Sequence, residues 1–362
     1  MELKINKDRL IETFVDLVKI DSPSGEEKEV GEYLEKRLKA MEFEVQFDSY
    51  GNLIASEPGK NHMLLSCHMD TVEPGRGIQP VIEGNNITSD GTTILGGDAK
   101  AGVAAILEGL QTAYDNGIDR IDLQPVFTRE EEIGLVGAQN IDFNLILGTH
   151  GVVFDGNGSV SRVFTASPTY IGFNISIKGR AAHAGVEPEK GLSAIRIASE
   201  LITSLEQGRL DDETTFNIGK IEGGTVRNAV PENTQIEGEF RSHNLETIEL
   251  LQSSVKAKIS EFREKYPDSE MTDSFRENFA AYKLTADDPM VQLACSTMVD
   301  MGINPTLETT GGGTDANVFN KHGIPCVVVG MGTNDMHTVR EYVKIDELEE
   351  VAQFCLNLIS KK

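Results

Sequence analysis

Hydrophobic positions along this chain recur at two periods, and the changes of period divide it. Leu10, Phe14, Leu17 and Val18 repeat at helical spacing, which predicts an amphipathic helix over residues 7–19. Ser24-Gly25-Glu26-Glu27 has the capping-box pattern ahead of a second helix carrying Val30, Leu34 and Leu38. FEVQFDS, NLIASE and MLLSC read as strands, the last a continuous apolar run of the kind buried on both faces. AKAGVAAILEGLQTAYDNG predicts a helix closed by Gly117, and LQPVFT and GVVFDG predict two more short strands.

Near Ser167 the pattern changes. TYIGFNISIKG alternates like a half-buried antiparallel strand, GLSAIRIASELITSLEQG reads as a helix, and TTFNIGKIEGG and TQIEGEFRS read as strands again. LETIELLQSSVKAKISEFREKY is a long helix, completing a β-α-β-β-α unit large enough for its own small core. After residue 282 the chain reverts to helices alternating with apolar strands: the helix DPMVQLACSTMVDMG, the strand IPCVVVG and the closing helix IDELEEVAQFCLNLI. The pattern predicts an α/β domain, a mixed sheet flanked by helices, built from residues 1–166 and 283–362 and interrupted by an inserted α+β domain over 167–282.

Two domains also suit the length, since 362 residues exceed the roughly 250–300 at which one core stops growing. With 33 Lys and Arg against 58 Asp and Glu, the net charge of -25 repels nucleic acid and anionic lipid and draws cations. Four cysteines, Cys67, Cys295, Cys326 and Cys355, lie far apart with no CxxC pair, as expected of free thiols in a reducing compartment. The N-terminal stretch lacks the unbroken apolar core of a signal peptide, and no stretch approaches the ~20 apolar residues of a membrane span. A cytoplasmic protein without membrane or nucleic-acid partners is the expectation.

Ligands of open α/β sheets gather at the carboxyl ends of strands. By that rule MLLSC leads to His68 and Asp70, and ITSDGTTILGGDAKAG places Asp98 in a Gly-rich turn opening a helix. LQPVFT runs into Arg129-Glu130-Glu131-Glu132, GVVF ends at Asp155, and VVVGMGTNDM leads to His337. Each piece alone has a plain structural reading: a surface turn for His68-x-Asp70, a solvated face for the three glutamates, a helix cap for Asp98, a turn for Asp155. Together in one cleft, several acids left unpaired would repel one another and lose solvation. A divalent cation resolves that conflict, and two His with three carboxylates, one shared, would hold two Zn²⁺ ions with positions open for water.

HMDTV, DGTTILGGDAKAG, EEIG, VFDG and GGGTD with the later His337 resemble, in order and spacing over nearly the whole chain, the motifs of the dinuclear-zinc exopeptidases. That family includes carboxypeptidase G, succinyl-diaminopimelate desuccinylase and peptidase T, and the stretch through ITSDGTTILGGDAKAG is most similar to the peptidase T branch. The resemblance implies a discontinuous zinc-peptidase domain with an inserted lid and dimerisation domain. It implies that His68 and Asp155 bind one zinc and Glu132 and His337 the other, with Asp98 bridging; Co²⁺ and Mn²⁺ also suit such donors. Glu131 would be the general base, and Asp70 would accept a hydrogen bond from the far nitrogen of His68 and fix its tautomer.

In the inserted domain, His183 in GRAAHAG, Asn228 in GGTVRNAVP and Arg241 in GEFRS match family positions. By resemblance, the lid His reaches across a homodimer to stabilise the oxyanion, while Asn and Arg hold the substrate carboxylate. Gly312 and Thr314, in Gly311-Gly312-Gly313-Thr314, would let backbone approach the bound peptide, although a flexible turn accounts for the same residues. The chain departs from the common pattern at Glu239, where many relatives carry Asp, and at Ala99, where many carry an acid. The implied activity is that of a tripeptide aminopeptidase acting on small peptides. A carboxypeptidase, deacylase or desuccinylase on the same scaffold is the alternative, because the metal residues report only the bond-breaking step. A non-catalytic metal-binding scaffold would be expected to have lost the base or a ligand, and a calcium module does not suit two His ligands.

Overall fold

The computed structural model describes residues 3–59 and 62–360. They form two compact units, Met1–Ala166 with Lys283–Lys362, and Ser167–Tyr282. No described helix is long and apolar enough to cross a membrane.

The first unit is built on a nine-stranded mixed sheet. At its centre four strands run parallel as neighbours, in the order Leu123–Thr128, His62–His68, Gly148–Gly156 and Cys326–Gly330. Every residue of His62–His68 is buried. Met63, Leu65 and Cys67 join the main hydrophobic cluster, while the alternate Leu64 is fully buried outside it, so both faces are covered. Antiparallel strands extend the sheet, Glu44–Phe47 and Leu53–Ser56 at one side and Arg162–Ser167 at the other.

The helix Gly97–Asp115 lies against this sheet and against the helices Lys7–Lys19 and Ile345–Ile359. Its approach is close enough to require glycine. A Cβ at Gly102 would stand 2.2 Å from the Phe154 carbonyl oxygen, and one at Gly109 would stand 2.9 Å from Cys355 Sγ. Cys67 faces this helix and donates its thiol to the Ala99 carbonyl at 3.0 Å, as a core residue does. All four cysteines are free.

Two local expectations fail here for identifiable reasons. The second helix, Lys28–Ala40, begins without any side-chain cap. Ser24 instead donates its hydroxyl to Asp70 Oδ2 at 2.6 Å, and Glu27 turns back to accept from Gly25 N at 2.7 Å and Arg129 Nε at 2.7 Å. Asp155 is not a turn residue, since it lies buried within the strand Gly148–Gly156.

The second unit is a five-stranded antiparallel sheet in the order Gly208–Asp211, Thr214–Gly223, Asn233–Ser242, Thr169–Lys178 and Glu270–Phe279. Ile171, Phe173, Ile175 and Ile177 form its core with Ile197 and Leu201 of the helix Ala194–Thr203 and with Ile248, Val255, Ile259 and Phe262 of the helix Leu245–Lys265. The β-α-β-β-α reading therefore lacked two strands. Gly208–Asp211 is short and largely exposed, and in Glu270–Phe279 charged residues interrupt the apolar positions, so neither shows a strong apolar period.

Candidate metal centre

Because the four central strands are parallel, their carboxyl ends share one edge of the sheet, and that edge collects the titratable side chains. His68 closes one strand, Asp155 sits near the end of the next, Glu131 and Glu132 follow Leu123–Thr128, and His337 follows Cys326–Gly330. Asp98 comes from the first turn of Gly97–Asp115, where its backbone departs from helical angles, and the Asp98–Ala99 peptide is cis.

Asp98 lies between the two imidazoles. Its Oδ1 is 3.2 Å from His68 Nε2, and its Oδ2 is 3.1 Å from His337 Nε2. The same Nε2 of His68 is 3.3 Å from Asp155 Oδ1, and the same Nε2 of His337 is 3.0 Å from Glu132 Oε2. Donor atoms of His68, Glu131 and Asp155 lie within 4.8 Å of one another, as do those of His68, Asp98 and Glu132. The side chain of His337 is half-exposed; the other members are buried.

Four carboxylates at such separations burden one another. Burial, with the charges of Asp155, Glu132 and Asp315, raises the Glu131 carboxyl well above its usual range, and burial with the Asp98 charge raises Glu132. Burial likewise pushes Asp155 up to about 8, despite His68. Asp98 goes the other way: burial opposes its ionisation, but the hydrogen bonds from His337 and His68 hold it at about 2. In return Asp98 and Glu132 raise His337 to about 10, and His68 is raised by Asp155, Asp70 and Asp98 against its burial. Carboxylates crowd both imidazoles on the side that presents Nε2. Nitrogen and carboxylate donors grouped around a shared aspartate fit a pair of divalent ions.

Asp70 does more than the sequence suggested. His68 Nδ1 lies 3.0 Å from the Asp70 carbonyl oxygen and 3.3 Å from its Oδ1, so both main chain and side chain fix the ring. The same carboxylate accepts from Glu131 N at 3.0 Å and Glu132 N at 3.2 Å. One buried carboxylate thus orients a candidate ligand on one strand and the backbone of the Glu131–Glu132 pair after another, and these bonds hold Asp70 below its usual range against the effect of burial.

Other supports have no signal in periodicity. Glu341, 1 % exposed, accepts three main-chain N–H groups of the segment leading into Asp98. Asp315, within the GGGTD motif, is buried, takes the hydroxyl of Thr128, and is pushed up to about 6 by burial. Lys100 is fully buried, donates to the Ile20 carbonyl at 2.7 Å, and is pulled down to about 7 by that burial.

A cavity of about 300 Å³ opens over these groups, lined by Asp98, Glu131, Glu132 and His337 on one hand and by Phe164 and Met336 on the other. Gly312 and Thr314 also line it. A Cβ at Gly312 would meet nothing nearer than Thr310 Oγ1 at 3.6 Å, so the glycine leaves open space. The Thr314 hydroxyl is engaged in a capping box on the helix Asp315–Lys321, accepting from Ala316 N at 3.3 Å, so only its remaining surface faces the cavity.

In the second unit His183 and Asn228 are neighbours on paired backbone segments, with Ala184 N donating to the Asn228 carbonyl at 3.0 Å, and both side chains are exposed. Arg241 lies on the sheet itself. Its guanidinium stands 4.4 Å from the centre of the Tyr170 ring, and Nη2 donates to Glu239 at 2.9 Å. The glutamate that departs from the common pattern thus holds the arginine that matches it.

Comparison with known proteins places the fold in a family. The peptidase dimerisation domain of the M20 class matches residues 165–267, and the M42 glutamyl aminopeptidase model matches residues 81–153. The crystal structure of aminopeptidase PepT from Bacillus cereus superposes with a TM-score of 0.87 at 36% identity, covering 98% of each chain. That of a tripeptidase from Staphylococcus aureus superposes with a TM-score of 0.91 at 32% identity over 98% of each chain. The uncharacterized protein YqjE of Bacillus subtilis is 36% identical over 99% of both sequences. By fold and by relatives, the chain belongs to the M20 family of dinuclear-metal peptidases, in its peptidase T-like branch.

Proposed function

We propose that this protein is a zinc-dependent tripeptide aminopeptidase of the peptidase T type. The observation that carries the reading is Asp98, whose two carboxylate oxygens are each engaged by one imidazole, His68 and His337. His68 and Asp155 would hold one ion, Glu132 and His337 the other, and Asp98 would belong to both. When bound, such a pair of Zn²⁺ ions supplies the positive charge that makes water acidic and polarises the scissile carbonyl, and Co²⁺ or Mn²⁺ suits the same donors.

Glu131 takes the proton of the attacking water as the oxygen adds to the carbonyl carbon, then delivers it to the leaving amine nitrogen as the C–N bond breaks. Burial and acidic neighbours raise its carboxyl above the usual range in the metal-free protein, the direction that favours taking up a proton. His183 would donate to the developing oxyanion, and Asn228 and Arg241 would hold the peptide's carboxylate.

The test is a screen of peptides with free or blocked ends, in protein purified with and without added zinc. Free tripeptides should release the N-terminal residue and a dipeptide, and N-acetylation of the same tripeptides should abolish turnover. Preferential cleavage of N-acylated amino acids, or release of the C-terminal residue, would replace this reading with another amide hydrolase on the same scaffold.

A homodimer through the Ser167–Tyr282 unit belongs to the proposal. In the strand Thr214–Gly223 only Thr214–Phe216 pair with Gly208–Asp211, which leaves the rest as an open sheet edge, with exposed Ile221, Val226 and Ile195 nearby. A second copy is the occupant that the family match to the dimerisation domain supports. If His183 serves the partner's site, mixing inactive His183→Ala with inactive Glu131→Gln and allowing subunits to exchange should restore activity, to about a quarter of wild type for statistical mixing in a two-fold dimer. No recovery in verified mixed dimers would place the histidine's work within its own protomer or remove it from catalysis. The reducing, cytoplasmic setting expected for four free thiols completes the reading.

A further inference from the structure

The segment that delivers Asp98 is held by a residue from far along the chain. Glu341 Oε2 accepts from Leu95 N at 2.9 Å and Gly96 N at 2.7 Å, and Oε1 accepts from Asp98 N at 2.9 Å. These are N–H groups at the opening of the helix Gly97–Asp115, where no helical carbonyl precedes them, and the N-cap residue Gly96, at a left-handed φ of 73°, has no side chain with which to cap them. The same residue closes the turn that follows His337, since Glu341 N donates to the Thr338 carbonyl at 3.0 Å. Packing repeats the connection. A Cβ at Gly97 would stand 2.8 Å from Val343 Cγ2 and 3.0 Å from Thr333 Cγ2, side chains on either side of the His337 turn.

We propose that Glu341 is a positioning residue of the metal centre, holding the backbone of Asp98 and the turn of His337 in one register and thereby setting the geometry of the half-site formed by Asp98, Glu132 and His337. The inference rests on the reading of those residues as ligands. A buried carboxylate is unfavourable unless its oxygens are hydrogen-bonded, and here the bonds all go to the main chain that carries the shared ligand. The His68 half-site has its own anchors, a buried central strand and Asp70, and depends on Glu341 only through Asp98.

The experiment titrates Zn²⁺ into full-length, chelator-stripped protein by competition with a chromophoric chelator, for wild type, Glu341→Gln and Glu341→Asp. Glutamine keeps the shape but points an amide N–H₂ at a main-chain donor; aspartate keeps the charge but is one methylene too short to span the three N–H groups. His68→Ala and His337→Ala identify which binding event belongs to which half-site. Both Glu341 variants should bind the ion of the His337 half about 10–100-fold more weakly, with a smaller change at the other half. Amide hydrogen exchange at Leu95, Gly96 and Asp98 should accelerate in the same variants. Wild-type affinity for both ions in Glu341→Gln, or in Glu341→Asp should the first variant not fold, would overturn the proposal even if thermal stability fell, because a helix cap alone would lower stability and leave the half-sites equal. A wild-type protein that binds fewer than two ions would overturn the metal-centre reading and this inference with it.

Discussion

Replacing Glu131 by glutamine should lower kcat by about 10²–10⁴-fold, the range of general acid–base catalysis, and leave the fold and both metal equivalents in place. The backbone around the residue is fixed independently of its side chain, because Asp70 Oδ1 accepts the Glu131 N–H and the Leu135 and Gly134 N–H groups close the following turn on the Glu131 carbonyl. Glutamine therefore keeps the position and loses only the proton-transfer function. KM for a tripeptide should change little, because the side chain is proposed to act on the attacking water and the leaving amine, not on the peptide's ends. Stopped-flow turnover together with metal content by mass spectrometry checks the expectation. Activity within tenfold of wild type at full metal loading would remove Glu131 as the base.

The same variant carries a stability signature whose sign can be worked out. The folded protein raises the Glu131 carboxyl above its ordinary value. A raised carboxyl gives stability that is present at low pH and lost as pH climbs past 4.5 toward the folded value, so at neutral pH this acid destabilises the metal-free fold relative to an uncharged residue. Glutamine removes that burden. Metal-free Glu131→Gln should melt no lower than metal-free wild type at pH 7.

What the sequence disclosed, and what it hid, follows from how far each signal reaches along the chain. The buried strands were legible because LLSC, PVFT, GVVF and VVVG are short apolar runs, and runs buried on both faces belong to parallel sheets. Once they are parallel, their carboxyl ends must share an edge, and His68, Glu131, Glu132, Asp155 and His337 fall there together. The motifs therefore named the groups that the structure brings together. Of the groups that hold them, the sequence pointed to Asp70 as the partner of His68, but its other bonds and the whole role of Glu341 were hidden, because those partners are remote. Asp70 bonds main-chain N–H groups at Glu131 and Glu132 after a different strand, and Glu341 bonds main chain at Leu95, Gly96 and Asp98. Main-chain donors leave no mark on residue identity, so no spacing rule could have found either set. Ser24 shows the converse failure. Its local pattern promised a capping box, yet the helix begins only at Lys28, with Glu27 at its N-cap, and the Ser24 hydroxyl turns to donate to a buried carboxylate 46 positions away. The strand Glu270–Phe279 escaped for a third reason: it is an edge strand whose alternate positions mix Met271, Phe275 and Phe279 with Asp273 and Glu277, so a clean apolar alternation never develops.

Asp98→Asn is expected to have the other large effect, and of opposite sign in stability. Two acceptor oxygens on one carboxylate serve His68 and His337 simultaneously; an amide offers one neutral oxygen and sets an N–H₂ against the other imidazole. Both halves of the centre should fail together, so the variant should bind no more than one ion under conditions that saturate wild type, and peptide turnover should fall below detection. In the metal-free protein Asp98 sits at about 2, below its ordinary 3.8, and a depressed carboxyl contributes stability that is present above the ordinary value and lost as pH falls through about 2. Removing its charge at pH 7 forfeits that contribution and leaves both imidazoles with one carboxylate fewer, so their protonation should become less favourable as well. Melting the three chelator-stripped proteins at pH 7 should therefore rank Glu131→Gln at or above wild type and Asp98→Asn below it. Two neighbouring acids would not part in this way if the cluster were merely a patch of solvated charge, because there each neutralisation relieves the same repulsion. A matched rise in both variants would show that Asp98 is not held between the histidines, and with that the shared ligand on which the two-metal reading depends would be lost.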